Sequence, residues 1–250
     1  MTSEPLRIAM WSGPRNMSTT MMRSFGARDD TVCVDEPFYA AYLKRTGLRH
    51  PMSEEIFASQ SADPKDVASD MAGSPDPDAR VFYQKHMTHH MLPDVPRDWM
   101  AACRNVFLIR HPARVIASYA RKMPNISLEA IGFPQQLDLF EQASQLEGRV
   151  PLVIDSDDIL HNPAQAMRLL CDRLGLPWQP QMLNWPAGQK PEDGVWASHW
   201  YDAVWRSTGF GTAPGALPEI SSDLITLHHA AFDIYQELSA HRLEMSSKID

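Results

Sequence analysis

Cysteine is scarce: Cys33, Cys103 and Cys171 are the three thiols in 250 residues, and no Cys-x-x-Cys pair occurs. So few and so widely spaced, they exclude a disulfide framework and a cysteine-rich metal site, and are expected to be buried and inert. No apolar run approaches the roughly 20 residues that cross a bilayer, so no membrane span is expected. The opening Met1-Thr-Ser-Glu-Pro lacks the basic and apolar stretches of a secretory signal, which makes the cytoplasm the expected compartment. Positive charge is also in deficit, with 23 Lys and Arg against 31 Asp and Glu and a formal net charge of −8. That balance argues against a broad polyanion-binding surface and hence against a nucleic-acid partner, so any anion must be held by a few placed cations.

One further absence is local. The apolar run Leu6–Met10 leads into WSGPRNMSTT, residues 11 to 20, whose Gly13-x4-Ser18-Thr19-Thr20 spacing copies a phosphate-binding loop. Such a loop wraps a phosphate in backbone N–H groups, places a Lys on the outer phosphates and a Ser or Thr on magnesium. Here the Lys position holds Thr19. Arg15 is the cation left to supply charge, with Ser18, Thr19 and Thr20 contributing hydroxyls and amides.

The composition, 44% hydrophobic and 22% charged, is that of an ordinary globular chain, long enough for one substantial core. Strand-like runs recur at Leu6–Met10, Thr31–Val34, Val81–Tyr83, Val106–Ile109 and Leu152–Ile154, with segments of helical length or more between them. The alternation predicts an α/β domain with a mostly parallel five-stranded sheet flanked by helices. Helices are predicted from Ser18 to Phe25, from Pro112 to Arg121, from Pro163 through Leu174 to the stop at Gly175, and near Asp223 to Leu243. Residues 50–79, polar and rich in Pro and Asp, read as an irregular insertion or lid, and 178–210 form a Trp-rich stretch packed on the same single domain. Both candidate anion motifs follow strands at carboxyl ends, where open α/β sheets bind ligands.

LIRHPARVIASY, residues 108 to 119, is the second motif: Arg110 ends a strand, Pro112 opens a helix, and Ser118 lies eight residues after the arginine. With the first loop, it resembles the sulfotransferases that use 3′-phosphoadenosine 5′-phosphosulfate (PAPS), a family with a P-loop-type fold. Pro14-Arg15-Asn16-Met17-Ser18-Thr19-Thr20 is similar to that family's Pro-Lys/Arg-Ser-Gly-Thr-Thr loop, with one residue more and Ser for Gly. Arg15 or Asn16 occupies the basic position depending on register, Arg15 being favoured. The resemblance implies that Arg15, Asn16, Ser18, Thr19 and Thr20 hold the 5′-phosphosulfate, and that Arg110 and Ser118 hold the 3′-phosphate.

Three more stretches resemble the family in order: VDEPFYA and YQKHMTHHMLP, which carry acid and histidine bases in its branches, and VIDSDDILHNPAQAMRLLCDRLGLPW. A last segment, QKPEDGVWASHW, matches only at Lys190, Gly194 and Trp196, with Gln189 where a phosphate-binding arginine is expected. These likenesses imply Glu36 as first choice of base and His86 as second, Lys85 at the bridging oxygen, and Lys190 at the donor. His86, His89 and His90 fall at i, i+3 and i+4, which makes a metal site conceivable, as does Asp157-Asp158, but sulfuryl transfer requires no metal. Trp196, Trp200, Tyr201, Trp205 and Phe210 are expected to cover the nucleotide or acceptor pocket, or to pack a core. Arg23 sits near the phosphates or on a solvated face.

The expected activity is sulfuryl transfer from PAPS to a hydroxyl or amine of a small-molecule acceptor, releasing 3′-phosphoadenosine 5′-phosphate (PAP). An ATP-dependent small-molecule kinase and a non-catalytic nucleotide-binding protein are the alternatives.

Overall fold

The computed structural model describes residues 4–123 and 126–245. Five strands, β1 (Leu6–Ser12), β2 (Thr31–Asp35), β3 (Val81–Met87), β4 (Arg104–Ile109) and β5 (Leu152–Asp155), form one parallel sheet in the order β2-β3-β1-β4-β5. All five predicted strands are present, and each runs further than its apolar run. The largest extension is in β3, where the expected Val81–Tyr83 continues through Gln84, Lys85, His86 and Met87. Polar residues continue the strand because every residue in it is buried and its ladder is shared with both β1 and β2.

Alternation along the strands divides the core into two layers. Ile8, Met10, Val81, Tyr83, Val106, Leu108 and Ile154 face α1 (Ser18–Gly26) and a helix near the C-terminal half. Ala9, Trp11, Phe82, Phe107, Ile109 and Val153 face the other side. The helices between β2 and β3 are α2 (Tyr39–Thr46), α3 (Ser53–Ser59) and α4 (Pro64–Ala72). The stretch 50–79 is thus not irregular: Asp63 caps α4 by accepting from the Lys65 N–H, Pro64 occupies its first turn, and Ile56, Val67 and Met71 are buried. Next come α5 (Pro112–Ala120), α6 (Phe133–Glu147), α7 (Ser156–His161) and α8 (Pro163–Leu174), the last two separated by Asn162. The Trp-rich stretch holds a 3-10 turn at Pro180–Leu183 and two single helical turns, α9 (Ala197–Trp200) and α10 (Asp202–Trp205), and α11 (Ile225–Ser239) follows. Among the described residues, no helix is long and apolar enough to cross a membrane.

The order of strands puts β1 between β3 and β4, so successive connections leave it in opposite directions and open a crevice at its carboxyl end. The loop after β1 is fixed there by backbone contact. A Cβ on Gly13 would lie 2.5 Å from the Ile131 carbonyl oxygen, and Gly132 follows with φ +76°. Cys103 and Cys171 are buried as expected, whereas Cys33 is only partly so.

Gly13→Ala is expected to destabilise the fold by about 1–3 kcal/mol through overpacking against that carbonyl. Gly215→Ala, which meets nothing within 4 Å, should stay within about 0.5 kcal/mol of the parent. Urea unfolding of the two variants decides, and equal midpoints would refute the close approach.

Candidate active site

Beyond the carboxyl ends of β1, β2 and β3 lies a cavity of about 780 Å³, lined on one side by residues 14–20, Arg110 and Ser118, and on the other by Glu36, Tyr39, His90, Trp196 and Tyr201. Both sequence motifs therefore open onto one space.

On the first side, α1 begins at Ser18, and its N-cap is Met17 in the left-handed region (φ 45°) with no side-chain cap. A serine cap is thus absent, and the first N–H groups of the helix are left for a ligand. Arg15, also left-handed at φ 61°, donates from Nε to Ser118 Oγ at 3.0 Å. Arg110 donates from Nη1 to the Arg15 carbonyl oxygen at 2.6 Å, and its Nε is buried without a partner. Burial lowers the pKa of both guanidiniums, with Arg121 adding to the effect at Arg15. Neither makes an ion pair among the described residues. Asn16 is buried and spends its amide N–H on the Leu108 carbonyl at 2.6 Å, so it anchors the loop to β4. The structure thus brings Arg15, Arg110 and Ser118 into one cluster.

On the second side, the register pairs Asp35 with Lys85 across β2 and β3, so the two side chains share a face. The Lys85 ammonium is almost fully buried and directs its three protons to Asp35 Oδ1 at 2.7 Å, Glu36 Oε1 at 2.6 Å and Tyr201 Oη at 2.7 Å. Tyr201 in turn donates to Asp35 Oδ2 at 2.7 Å, where the Gly194 N–H also points at 3.2 Å. Burial alone would lower the lysine pKa, but Asp35 and Glu36 raise it well above the ordinary value. Burial raises the Glu36 carboxyl pKa, partly opposed by Lys85 and reinforced by Asp35. Glu36 does not open a helix, since α2 starts at Tyr39. It sits at φ 41°, held by its N–H to the Lys85 carbonyl and by its own carbonyl, which accepts from the Tyr39 N–H and Gln60 Nε2. A non-glycine residue in that region costs about 1–3 kcal/mol and persists where its surroundings over-determine it.

The structure does not bring His86 to the cavity. One residue after Lys85 in a continuous strand, it faces the opposite side of the sheet, stacked on Trp11 at 4.5 Å and bonded to Gln84 Oε1 at 3.1 Å. Burial and the field of Lys85 push its pKa down to about 3. Lys190 also lies outside the cavity lining. Its segment is tied down by Asp193, which accepts from the Lys190 N–H, from Trp205 Nε1 and from Arg23. Arg23 is therefore a buried anchor for that segment, neither a phosphate ligand nor a solvated residue. Trp196, Trp200 and Tyr201 line the cavity, whereas Trp205 does not and Phe210 packs on Trp185.

Among the described residues, no three His, Cys, Asp or Glu converge as a metal site. Asp157 pairs with Arg114 and Asp158 with Arg242. Sequence reasoning gave no role to Asp35, to Lys122 and Arg206 at the cavity wall, or to Tyr39 and Tyr42 around His90. Asp35 directly precedes Glu36 at a strand end, the one signal that could have marked it.

Comparison with known proteins gives the family and the fold. The sulfotransferase domain family matches residues 6–242. Two Arabidopsis thaliana proteins, branched-chain-amino-acid aminotransferase-like proteins 2 and 1, are 35% and 36% identical over 96% and 98% of this chain. The chain spans 42% and 44% of their lengths, less than half. A solved structure, a sulfotransferase from Alicyclobacillus acidocaldarius, has the same fold with a TM-score of 0.58 at 12% identity, covering 97% of this chain and 98% of that one. A match over nearly the whole chain, on a parallel sheet with this crevice, makes the protein a member of the sulfotransferase domain family.

Proposed function

We propose that this protein transfers a sulfuryl group from PAPS to a small-molecule acceptor, with Glu36 as the base. The observation that carries the reading is the pairing, across one cavity, of two guanidiniums without ion-pair partners beside an uncapped helix N-terminus with a partly buried carboxylate of raised pKa. The donor is anionic at both ends, which suits such a set of groups. In this reading, residues 16–20 supply amides and hydroxyls to the phosphosulfate. Arg110 and Ser118 take the 3′-phosphate, and Arg15, turned toward Ser118, joins them. The unpartnered Arg110 Nε is a donor awaiting such an acceptor.

Lys85 acts as a positioning residue. All three of its protons are committed, so reaching a bridging oxygen would require breaking one of three short bonds. Its work is to hold Glu36 Oε1 and to leave Oε2 for the acceptor proton. The loop therefore has no need of the missing lysine, because the transferred sulfuryl group carries less charge than a terminal phosphate and is met by amides and hydroxyls. The cytoplasm remains the proposed compartment.

Calorimetry with PAP, AMP and ATP plus magnesium tests the donor. PAP should bind in preference, and Arg110→Ala should weaken it about 10–100-fold, the value of one or two charge-assisted bonds. Equal or tighter binding of magnesium-ATP would move the reading to a kinase.

The base is tested separately. Glu36→Gln should lower turnover by about 10²–10⁴ while leaving PAP affinity within about threefold. A base works deprotonated, so wild-type turnover should fall as pH drops through the raised Glu36 pKa, above the ordinary glutamate value of about 4.3. That acid limb should vanish in Glu36→Gln; a limb that persists there would assign the proton to another group.

A further inference from the structure

We infer that the acceptor atom is a hydroxyl oxygen rather than an amine nitrogen, and that His90 makes the choice by donating its Nε2–H to that oxygen while Glu36 takes the oxygen's proton. The inference rests on the sulfuryl-transfer reading and adds the class of acceptor.

His90 lies in the turn after β3 and lines the cavity, with Nε2 4.0 Å from Glu36 Oε2. That gap is too long for a direct hydrogen bond. One oxygen placed about 2.8 Å from each atom closes it as the apex of a triangle. The imidazole is fixed for the purpose, stacked on Tyr39 at 4.7 Å and on Tyr42 at 4.8 Å, with Tyr39 Oη bonded in turn to His50 Nδ1 at 2.8 Å. Its Nδ1 is buried without a hydrogen-bond partner. Orphaned buried donors are rare in folded proteins, which puts the single proton of the neutral ring on Nε2. Burial, together with His89 and Lys85, keeps the ring neutral by holding its pKa well below the ordinary value.

Glu36 Oε2 and His90 Nε2–H therefore present one acceptor and one donor to the attacking atom. A hydroxyl satisfies both: its proton goes to Glu36, one lone pair accepts from His90, and the other forms the bond to sulfur as the bond from sulfur to the PAP oxygen breaks and its electron pair leaves with PAP. A neutral amine has a single lone pair, committed to the sulfur, and leaves the His90 donor unpaired. A site built to hydrogen-bond a group rejects the analogue that cannot reciprocate.

The test uses phenol and aniline, both uncharged near neutrality, with PAPS. Wild type should favour phenol in kcat/KM by about 100-fold or more. His90→Gln, whose amide nitrogen restores a donor, should keep that ratio within about fivefold, and His90→Phe should reduce it about tenfold or more. An unchanged ratio in His90→Phe, or aniline used as well as phenol by wild type, would overturn the inference.

Should neither probe turn over, 15N NMR of the His90 ring in the PAP complex still decides. A neutral Nε2–H ring at pH 7 is required, and an Nδ1–H ring or an imidazolium refutes it. Failure to bind PAP at all would instead sink the sulfotransferase reading.

Discussion

The Lys85 ammonium is the constraint around which the site is organised. Burying it among two carboxylates is tolerable only because each of its protons has an oxygen within 2.7 Å and the remaining carboxylate oxygen of Asp35 is itself bonded by Tyr201 and Gly194. Buried ion pairs add little net stability, but losing one partner leaves an uncompensated charge that costs about 3–5 kcal/mol. The arrangement therefore specifies geometry more than it stabilises. It fixes the strained Glu36 backbone and aims one carboxylate oxygen, and it fastens α9 and α10 over the sheet edge through Tyr201.

Strain is concentrated in the same place. Arg15, Met17, Glu36 and Met52 are the non-glycine residues with positive φ among those described, and the first three line the cavity. Two of these are locked by neighbours: Arg15 by its carbonyl bond to Arg110 and its side-chain bond to Ser118, Glu36 by Lys85, Tyr39 and Gln60. The loop after β1 and the Glu36 carboxylate are positioned by one device, left-handed backbone following strand ends on a parallel sheet.

Much of the fold was legible because apolar runs and punctuation carried it. Pro163 and Gly175 bound α8 as expected, and all five strands fell where the runs predicted. The site was legible only to the end of each motif. His86 was misjudged because β3 was read as stopping at Tyr83; once the strand extends to Met87, adjacent residues must face opposite sides and Lys85 and His86 cannot share the cavity. The two helices in 50–79 were missed because their polar surface hides a few buried apolar residues. Tyr201 was grouped with other aromatics, since its bond to Asp35 spans 166 residues and leaves no local trace.

That span also bears on how the chain is made. At roughly 5–20 residues per second, the ribosome delivers Tyr201 about 8–33 s after Asp35, whose carboxylate it must meet. During that interval Asp35 and Glu36 are already synthesised while the phenol that completes their shell does not yet exist. Their charges stay hydrated until the segment carrying Gly194 and Tyr201 emerges. The sheet edge thus has a built-in delay: it can hold a strand pair early, but it becomes a dry, finished pocket only after residues 194–201 arrive.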